Sequence, residues 1–370
     1  MSELAKPGRG FPLLLAVASF VVIVAGMRAA EAILVPFLLS VFLAVISAPP
    51  LFWLERKGLP KSLAMVTVVA AIVCILFLMG AIIGSSVDAF TRKLPEYQSH
   101  WQATTNSLLT WLQAKGIRVS DPEVAKYLDP GAILKVVANT LNGLGGVLGN
   151  TFLIFVTVVF ILFEASSFPV KLRAILGKHD TSLGDYVKFT DSVKNYLAIK
   201  TWTSFATGIA VTIWLQVLGV DFAILWGLVA FLLNYIPNIG SIIAAVPAVL
   251  LALLQLGTGA AVWTAGGYLA INVIIGTVIE PRFMGRHLGL STLVVFVSMV
   301  FWGWVLGPVG MFLSVPLTMT LKLAMENEER TRWIAILLGS EAAAEALLPH
   351  VAEAKDAMQP KPAPSSSDDV

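Results

Sequence analysis

Charge is what this chain has least of. Only 13% of its 370 residues are Asp, Glu, Lys or Arg, roughly half the usual share of a soluble domain. So few charges cannot cover the surface of two or three globular domains, whereas the hydrocarbon band of a bilayer needs no charged cover. A soluble enzyme is excluded. An excess of one sign is missing as well: 25 Lys and Arg against 23 Asp and Glu leave +2, far from the concentrated basic surface that phosphate neutralisation demands, so nucleic acid is not a partner. The single cysteine, Cys74, lies in the apolar run 70–80. It can form no intrachain disulfide, no nearby charge activates it, and we expect it to pack. The four histidines are scattered, and neither HExxH nor CxxC occurs, so no metal site is expected. There is no phosphate-binding loop and no GxSxG turn, which argues against an ATP-driven pump, a hydrolase or a bound cofactor.

What is present is hydrocarbon, with 57% hydrophobic residues and a mean hydropathy of +0.83. No Asp, Glu, Lys or Arg occurs between Glu31 and Glu55, Lys61 and Asp88, Lys135 and Glu164, Asp221 and Glu280, or Arg286 and Lys322. Each interval holds one or more membrane segments, since a spanning helix needs about 20 apolar residues. The predicted fold class is therefore all-α: a polytopic membrane protein of about eight transmembrane helices, Gly/Pro-broken re-entrant hairpins and a small extramembrane helical domain.

The expected organisation follows the charges. Residues 1–10 form a cytoplasmic N-terminus and 11–87 carry three transmembrane helices, with Arg56, Lys57 and Lys61 marking a cytoplasmic loop by the positive-inside rule. Residues 88–142 change character. They carry charges, two Asp-Pro helix starts and an aromatic stripe at Tyr97, Trp101, Leu108 and Trp111, and are expected to form an extracytoplasmic helical domain folded against the membrane part. The fourth helix, 143–163, opens on a glycine cluster, and 164–200 holds six basic residues including Lys200 in an amphipathic pattern along the inner surface. Residues 201–321 form a core with broken helices, and 322–370 a cytoplasmic helix with a disordered tail.

Three constellations stand out in that core. The first is Asn234-Tyr235-Ile236-Pro237-Asn238-Ile239-Gly240, followed by Pro247. Helix breaks at membrane depth free backbone groups that only protein or water can satisfy, so they tend to line cavities; a short interfacial turn would also account for this one. The second is Gly303, Gly307, Pro308, Gly310 and Pro316, within an uncharged run too long for one straight span and returning to the side it entered. Between them lie Asn272 and the segment Glu280-Pro281-Arg282-Phe283-Met284-Gly285, where the proline is expected to end a helix. An ionisable group beside a membrane cavity is a functional candidate because lipid exposure costs about 3 kcal/mol. The alternative is a structural ion pair of Glu280 with Arg282 or Arg286. Asp221 is expected as an interfacial cap, and Gln255 and Thr264 as helix glue.

The segments NYIPNIGSIIAAVP (Asn234 to Pro247) and IEPRFMGRHLGLSTLVVFVSMVFWGWVLGPVGMFLSVPLTMTLK (Ile279 to Lys322) resemble the signature of the autoinducer-2 exporter family. RAAEAILVPFLLSVFLAVI and LWGLVAFLLNYIPN extend the resemblance over most of the chain. It implies a multi-pass bacterial inner-membrane carrier, without ATP hydrolysis, exporting the small polar signal autoinducer-2. It also implies homo-oligomers, with a pentamer expected, and an elevator-like movement of the re-entrant part. Some members of that family are associated with sodium or lithium exchange for protons. Carried over residue by residue, Asn234, Pro237, Asn238, Gly240 and Pro247 match the first motif; Glu280, Pro281, Arg282, Gly285, Gly303, Gly307, Pro308, Gly310 and Pro316 match the second. The leading expectation is an exporter whose two broken elements form a central site. There Asn234, Asn238 and Asn272 offer amides to a hydroxylated solute, and Glu280 with Arg282 acts as gate or proton site. A cation/proton antiporter and a non-transporting membrane scaffold are the alternatives.

Overall fold

A computed structural model of the chain describes residues 10–115, 135–140, 151–165, 171, 182–237, 239–284, 290–326 and 328–345. Among the described residues the protein is helical apart from one isolated bridge between Leu290 and Gly339. That is the expected outcome where only intrahelical bonds can satisfy the backbone. The helices are α1 (Gly10–Ala29), α2 (Glu31–Arg56), α3 (Lys61–Ala114), α4 (Thr151–Ala165), α5 (Ser182–Leu218), α6 (Ala223–Leu233), α7 (Gly240–Leu256) and α8 (Thr258–Asn272). A π-helical segment (Val273–Ile279) joins α8 to α9 (Glu280–Met284), and α10 (Thr292–Glu326), α11 (Arg332–Leu338) and α12 (Glu341–Glu345) complete the chain. Five of these segments are long and apolar enough to cross a membrane: in α2, α3, α5, α8 continued through Phe283, and α10. Shorter apolar helices lie in α1, α4, α6 and α7. The outward surface is correspondingly oily: Phe77, Phe152 and Leu293 are each more than two-thirds exposed. Cys74, expected to pack, is on that outer surface.

Two helical hairpins organise the second half. In the first, α6 and α7 run antiparallel. The Asp221 amide at the foot of α6 donates to Gln255 Oε1 at the foot of α7, at 2.9 Å, where an unbroken helix would hold residues 34 apart about 50 Å from each other. Gln255 Nε2 donates in turn to the Gly219 carbonyl at 3.1 Å, so this amide clamps the foot of the hairpin. The second hairpin is α10 itself, which folds back at Leu306 (φ −123°, ψ 15°) and Gly307 (φ 64°, ψ −154°). The Trp302 indole N–H donates to Thr318 Oγ1 at 3.0 Å, a contact that a straight helix would stretch to about 24 Å. Gly307 is needed because its positive φ disfavours a side chain, and Pro308 is tolerated because it opens the return leg, where its missing N–H costs nothing.

Tight packing fixes these elements. Trp226, Leu215, Val229, Ala248 and Leu251 are the centre of the largest cluster, joining α3, α5, α6, α7 and α8. Gly227 lets α6 press on α5; a Cβ there would sit 2.6 Å from the Gly208 carbonyl oxygen. The second cluster joins α2 to both hairpins through Phe42, Tyr235 and Phe312, with ring centroids 4.6 to 5.5 Å apart. The third packs Leu51, Met65, Val158 and Leu162 of α2, α3 and α4.

Helix α3 passes unbroken through residues 87 and 88, where the sequence reading ends the third span, and continues as an arm to Ala114. Tyr97 and Trp101 of the aromatic stripe are buried in the main cluster. The side chains of Leu108 and Trp111 lie outside the described residues, as does the glycine cluster before α4. Asp221 is more than a cap: its Oδ2 accepts from Lys93 Nζ and from the Tyr97 hydroxyl, both at 2.7 Å, tying the arm to the foot of the first hairpin.

Candidate functional site

The tip of the first hairpin is built by its sequence. Pro237, whose nitrogen cannot donate, keeps α6 from continuing, and the chain reverses between Asn234 and Ile239. It resumes at Gly240, where a Cβ would fall 1.8 Å from the Leu233 carbonyl oxygen. Only glycine lets the second leg start against the end of the first. Asn234 pins the tip: its Nδ2 donates to Ser204 Oγ of α5 at 3.0 Å, and its Oδ1 accepts from Ser241 Oγ at 3.4 Å. The Tyr235 hydroxyl donates to Thr201 Oγ1 of the same helix at 2.8 Å.

Opposite the tip, α8 widens instead of ending. Pro281 cannot bond to the carbonyl four residues back, and its ring presses on that carbonyl. The helix accommodates it by the π-helical register of Val273–Ile279 and carries on through Glu280–Met284. The expectation that Pro281 terminates the helix is therefore corrected. Single π turns inside α-helices recur at functional sites. Here Gly276 leaves room for its neighbour: a Cβ at that position would lie 3.3 Å from Asn272 Oδ1.

Between tip and π segment is a cavity of about 210 Å³. Its polar lining comes from Tyr196 and Lys200 of α5, Asn234 and Ser241 of the hairpin, and Asn272, Thr277 and Glu280 of the widened helix. Ile236, Pro237, Val295 and Val315 supply apolar wall. A volume below the ~300 Å³ of drug-sized pockets suits a small solute. Lys200 Nζ lies 2.8 and 3.0 Å from the two Glu280 oxygens, and the side chains are only 7% and 15% exposed. Two charges so enclosed are held by each other; removing one partner from such a pair costs about 3–5 kcal/mol, whereas exchanging both for apolar groups is close to neutral. The Asn272 amide and the Thr277 hydroxyl have no hydrogen-bond partner among the described residues, and both line the cavity.

The structure thus regroups the expected residues. Asn234, Pro237, Asn272 and Glu280 come together, with Gly240 and Pro247 behind them in α7. Asn238 and Gly285 lie outside the described residues. Arg282 is exposed and takes no part in the cavity, and the partner of Glu280 is Lys200 rather than Arg282. Nor do the two tips meet. Gly303, Gly307, Pro308 and Gly310 belong to the second tip, which packs through Trp302, Val305 and Leu306 on Val24, Met27 and Val35 of α1 and α2. The Arg28 guanidinium stands 4.9 Å above the Trp304 ring beside it. The second hairpin gives the cavity only its legs, at Val295 and at Val315 next to Pro316. Lys200, Tyr196, Ser241 and Thr277 are absent from the sequence-derived site. Lys200 counts there as one of a solvated basic set, although Ser204 and Thr207, four and seven residues on, already mark one polar helix face.

Two broken helical hairpins, a widened helix and a largely buried ion pair beside a cavity, in a multi-pass membrane chain, are features in keeping with a membrane transport protein. The chain belongs to the AI-2E family transporters, whose family model matches residues 17–330. It is 41% identical over 329 residues to the AI-2 transport protein TqsA of Escherichia coli (strain K12), covering 89% of this chain and 96% of that protein. A protein of Haemophilus influenzae, named only provisionally as a transport protein and with no cargo in its name, is 40% identical over 88% of this chain and 95% of its own length. The E. coli (strain K12) protein YhhT, likewise named only provisionally as a transport protein, is 37% identical over 91% of this chain and 97% of its own length.

Proposed function

We propose that the protein exports a small polar solute, autoinducer-2 being the first candidate, from the bacterial inner membrane without ATP, with the Lys200–Glu280 cavity as its binding site. The observation that carries this reading is the pairing of a small polar cavity, whose largely buried ion pair compensates its charges, with membership of a transporter family. The 41% identity to an AI-2 transport protein supports the choice of solute. In this reading Asn272 and Thr277 offer an amide and a hydroxyl to hydroxyls of the solute. The ion pair holds α5 to the π segment until the solute, or a proton on Glu280, exchanges for one partner. The first hairpin moves with its tip, pivoting where Asp221 and Gln255 clamp its foot, and the protein works as an oligomer with cytoplasmic termini.

Autoinducer-2 efflux from vesicles holding the purified protein tests the reading. Asn272→Leu should remove saturable efflux while the protein still inserts and assembles; unchanged efflux in that variant overturns the site. The sodium/proton antiporter is a second reading, favoured by the cavity carboxylate, although Lys200 already neutralises it. Sodium-driven proton movement that is lost in Glu280→Gln, with no solute efflux, would replace the first reading by the second.

A further inference from the structure

Helix α8 carries a second set of polar groups beyond the cavity. Asn272 lines the cavity, and one and two turns away, toward Gly257, come Tyr268 and Thr264 at the four-residue spacing that keeps side chains on one helix face. Thr264 is fully buried and Tyr268 is 5% exposed. Even so, neither Thr264 Oγ1 nor Tyr268 Oη has a hydrogen-bond partner among the described residues, and the same is true of the Trp226 indole N–H on α6, which is also fully buried.

These groups share one level of the molecule. Helix α5 serves as the ruler: Gly227 packs on Thr212, while the Trp214 indole packs on Gly267 and donates to the Trp263 carbonyl at 3.1 Å. Trp226, Thr264 and Tyr268 therefore lie within about one turn of the same depth, and Trp226 and Tyr268 belong to one packed cluster. The orientation of Thr264 is telling. Thr201, Thr207 and Thr212 on α5 each donate to the carbonyl four residues back, at 2.6 to 2.9 Å. Thr264 has the same option and does not use it. A buried polar atom without a partner is costly, and Val or Phe would remove the cost at nearly the same shape. Three in one layer, two of them on the face that leads from the cavity, mark a place where partners are supplied from outside the chain.

We infer that Trp226, Thr264 and Tyr268 form a second polar station on the solute path, receiving a small, uncharged, hydroxylated solute together with water once it leaves the cavity past Asn272. The inference rests on the transport reading above. An indole donor, a hydroxyl and a phenol offer donors and acceptors but no charge, so the station passes neutral polyols rather than anions or metal cations.

The test uses the full-length protein in vesicles, with Cys74→Ala removing the only native thiol. Thr264→Cys, Tyr268→Cys, Asn272→Cys and Ala248→Cys are then each reacted with a small charged methanethiosulfonate. Ala248 is fully buried in the apolar core and serves as the dry control. Residues 264 and 268 should react within about tenfold of residue 272 and roughly a hundredfold faster than residue 248, because only a wetted thiol forms the reactive thiolate. Rates no faster than at residue 248 overturn the station. Thr264→Val and Tyr268→Phe should each lower efflux severalfold without lowering the melting temperature; unchanged efflux with raised stability would mean the groups are merely buried. Thiol reactivity reads water access whatever the solute is. Reactive stations without autoinducer-2 efflux would leave the path standing and remove only the proposed cargo.

Discussion

Lys200 and Glu280 are the residues on which the site turns, because each is buried only by virtue of the other. Lys200→Met or Glu280→Leu alone should lower stability by about 3–5 kcal/mol, since each strands an enclosed charge. The double variant should recover most of that loss in a thermal melt. If the pair serves only to hold α5 against the π segment, efflux recovers with it; if the pair takes part in solute exchange, as proposed, efflux stays lost. Glu280 is legible in the sequence as an acid in an otherwise uncharged stretch. Its partner is not, because Lys200 sits at the end of a run of basic residues, and nothing local distinguishes a buried lysine from a solvated one. Asn234 shows the converse. It is visible as an amide beside a helix breaker, yet its two ends are occupied by Ser204 and Ser241, so it positions the tip; of the expected amides among the described residues, Asn272 is left for a solute.

At the scale of elements, both breaks can be read from Pro and Gly, but what each break faces cannot. Spacing along the chain places a break in α6–α7 and another in α10. Only three-dimensional packing sends one tip to the cavity and the other to the α1–α2 corner. The π segment likewise follows from Pro281 only once the helix is seen to continue past it. The tips make a graded prediction. A Cβ at Gly310 would lie 1.9 Å from the Trp302 carbonyl oxygen, whereas at Gly303 the nearest atoms are in the Met311 side chain, the closest at 2.7 Å. Gly310→Ala should therefore cost about 1–3 kcal/mol through forced overpacking. Gly303→Ala should cost less, because a methionine side chain yields where a backbone carbonyl does not. Melting temperatures of the two variants check the order; equal losses would contradict the hairpin packing.

Across the whole molecule, the α3 arm and the foot of the first hairpin are joined through Asp221. Tyr97 is 2% exposed, so Asp221→Ala leaves a buried phenol without its acceptor, at about 1–3 kcal/mol. Lys93 is 43% exposed, and Lys93→Ala should cost under about 1 kcal/mol because solvent screens the pair. Limited proteolysis of the arm should rise in the first variant and hardly change in the second. The segment from Asp88 reads from sequence as a separate domain because charges return there, yet Tyr97 and Trp101 feed the common core. A helical membrane chain was legible from the missing charges alone, while the joint depends on partners 124 and 128 residues apart.

The most direct test of the central claim is autoinducer-2 efflux from vesicles of purified protein, wild type beside the Lys200→Met/Glu280→Leu double variant, at matched insertion and thermal stability. Saturable efflux in the wild type and none in the double variant is the predicted result. Equal efflux in both would contradict the part proposed for the ion pair in solute exchange and leave it a purely structural link between α5 and the π segment.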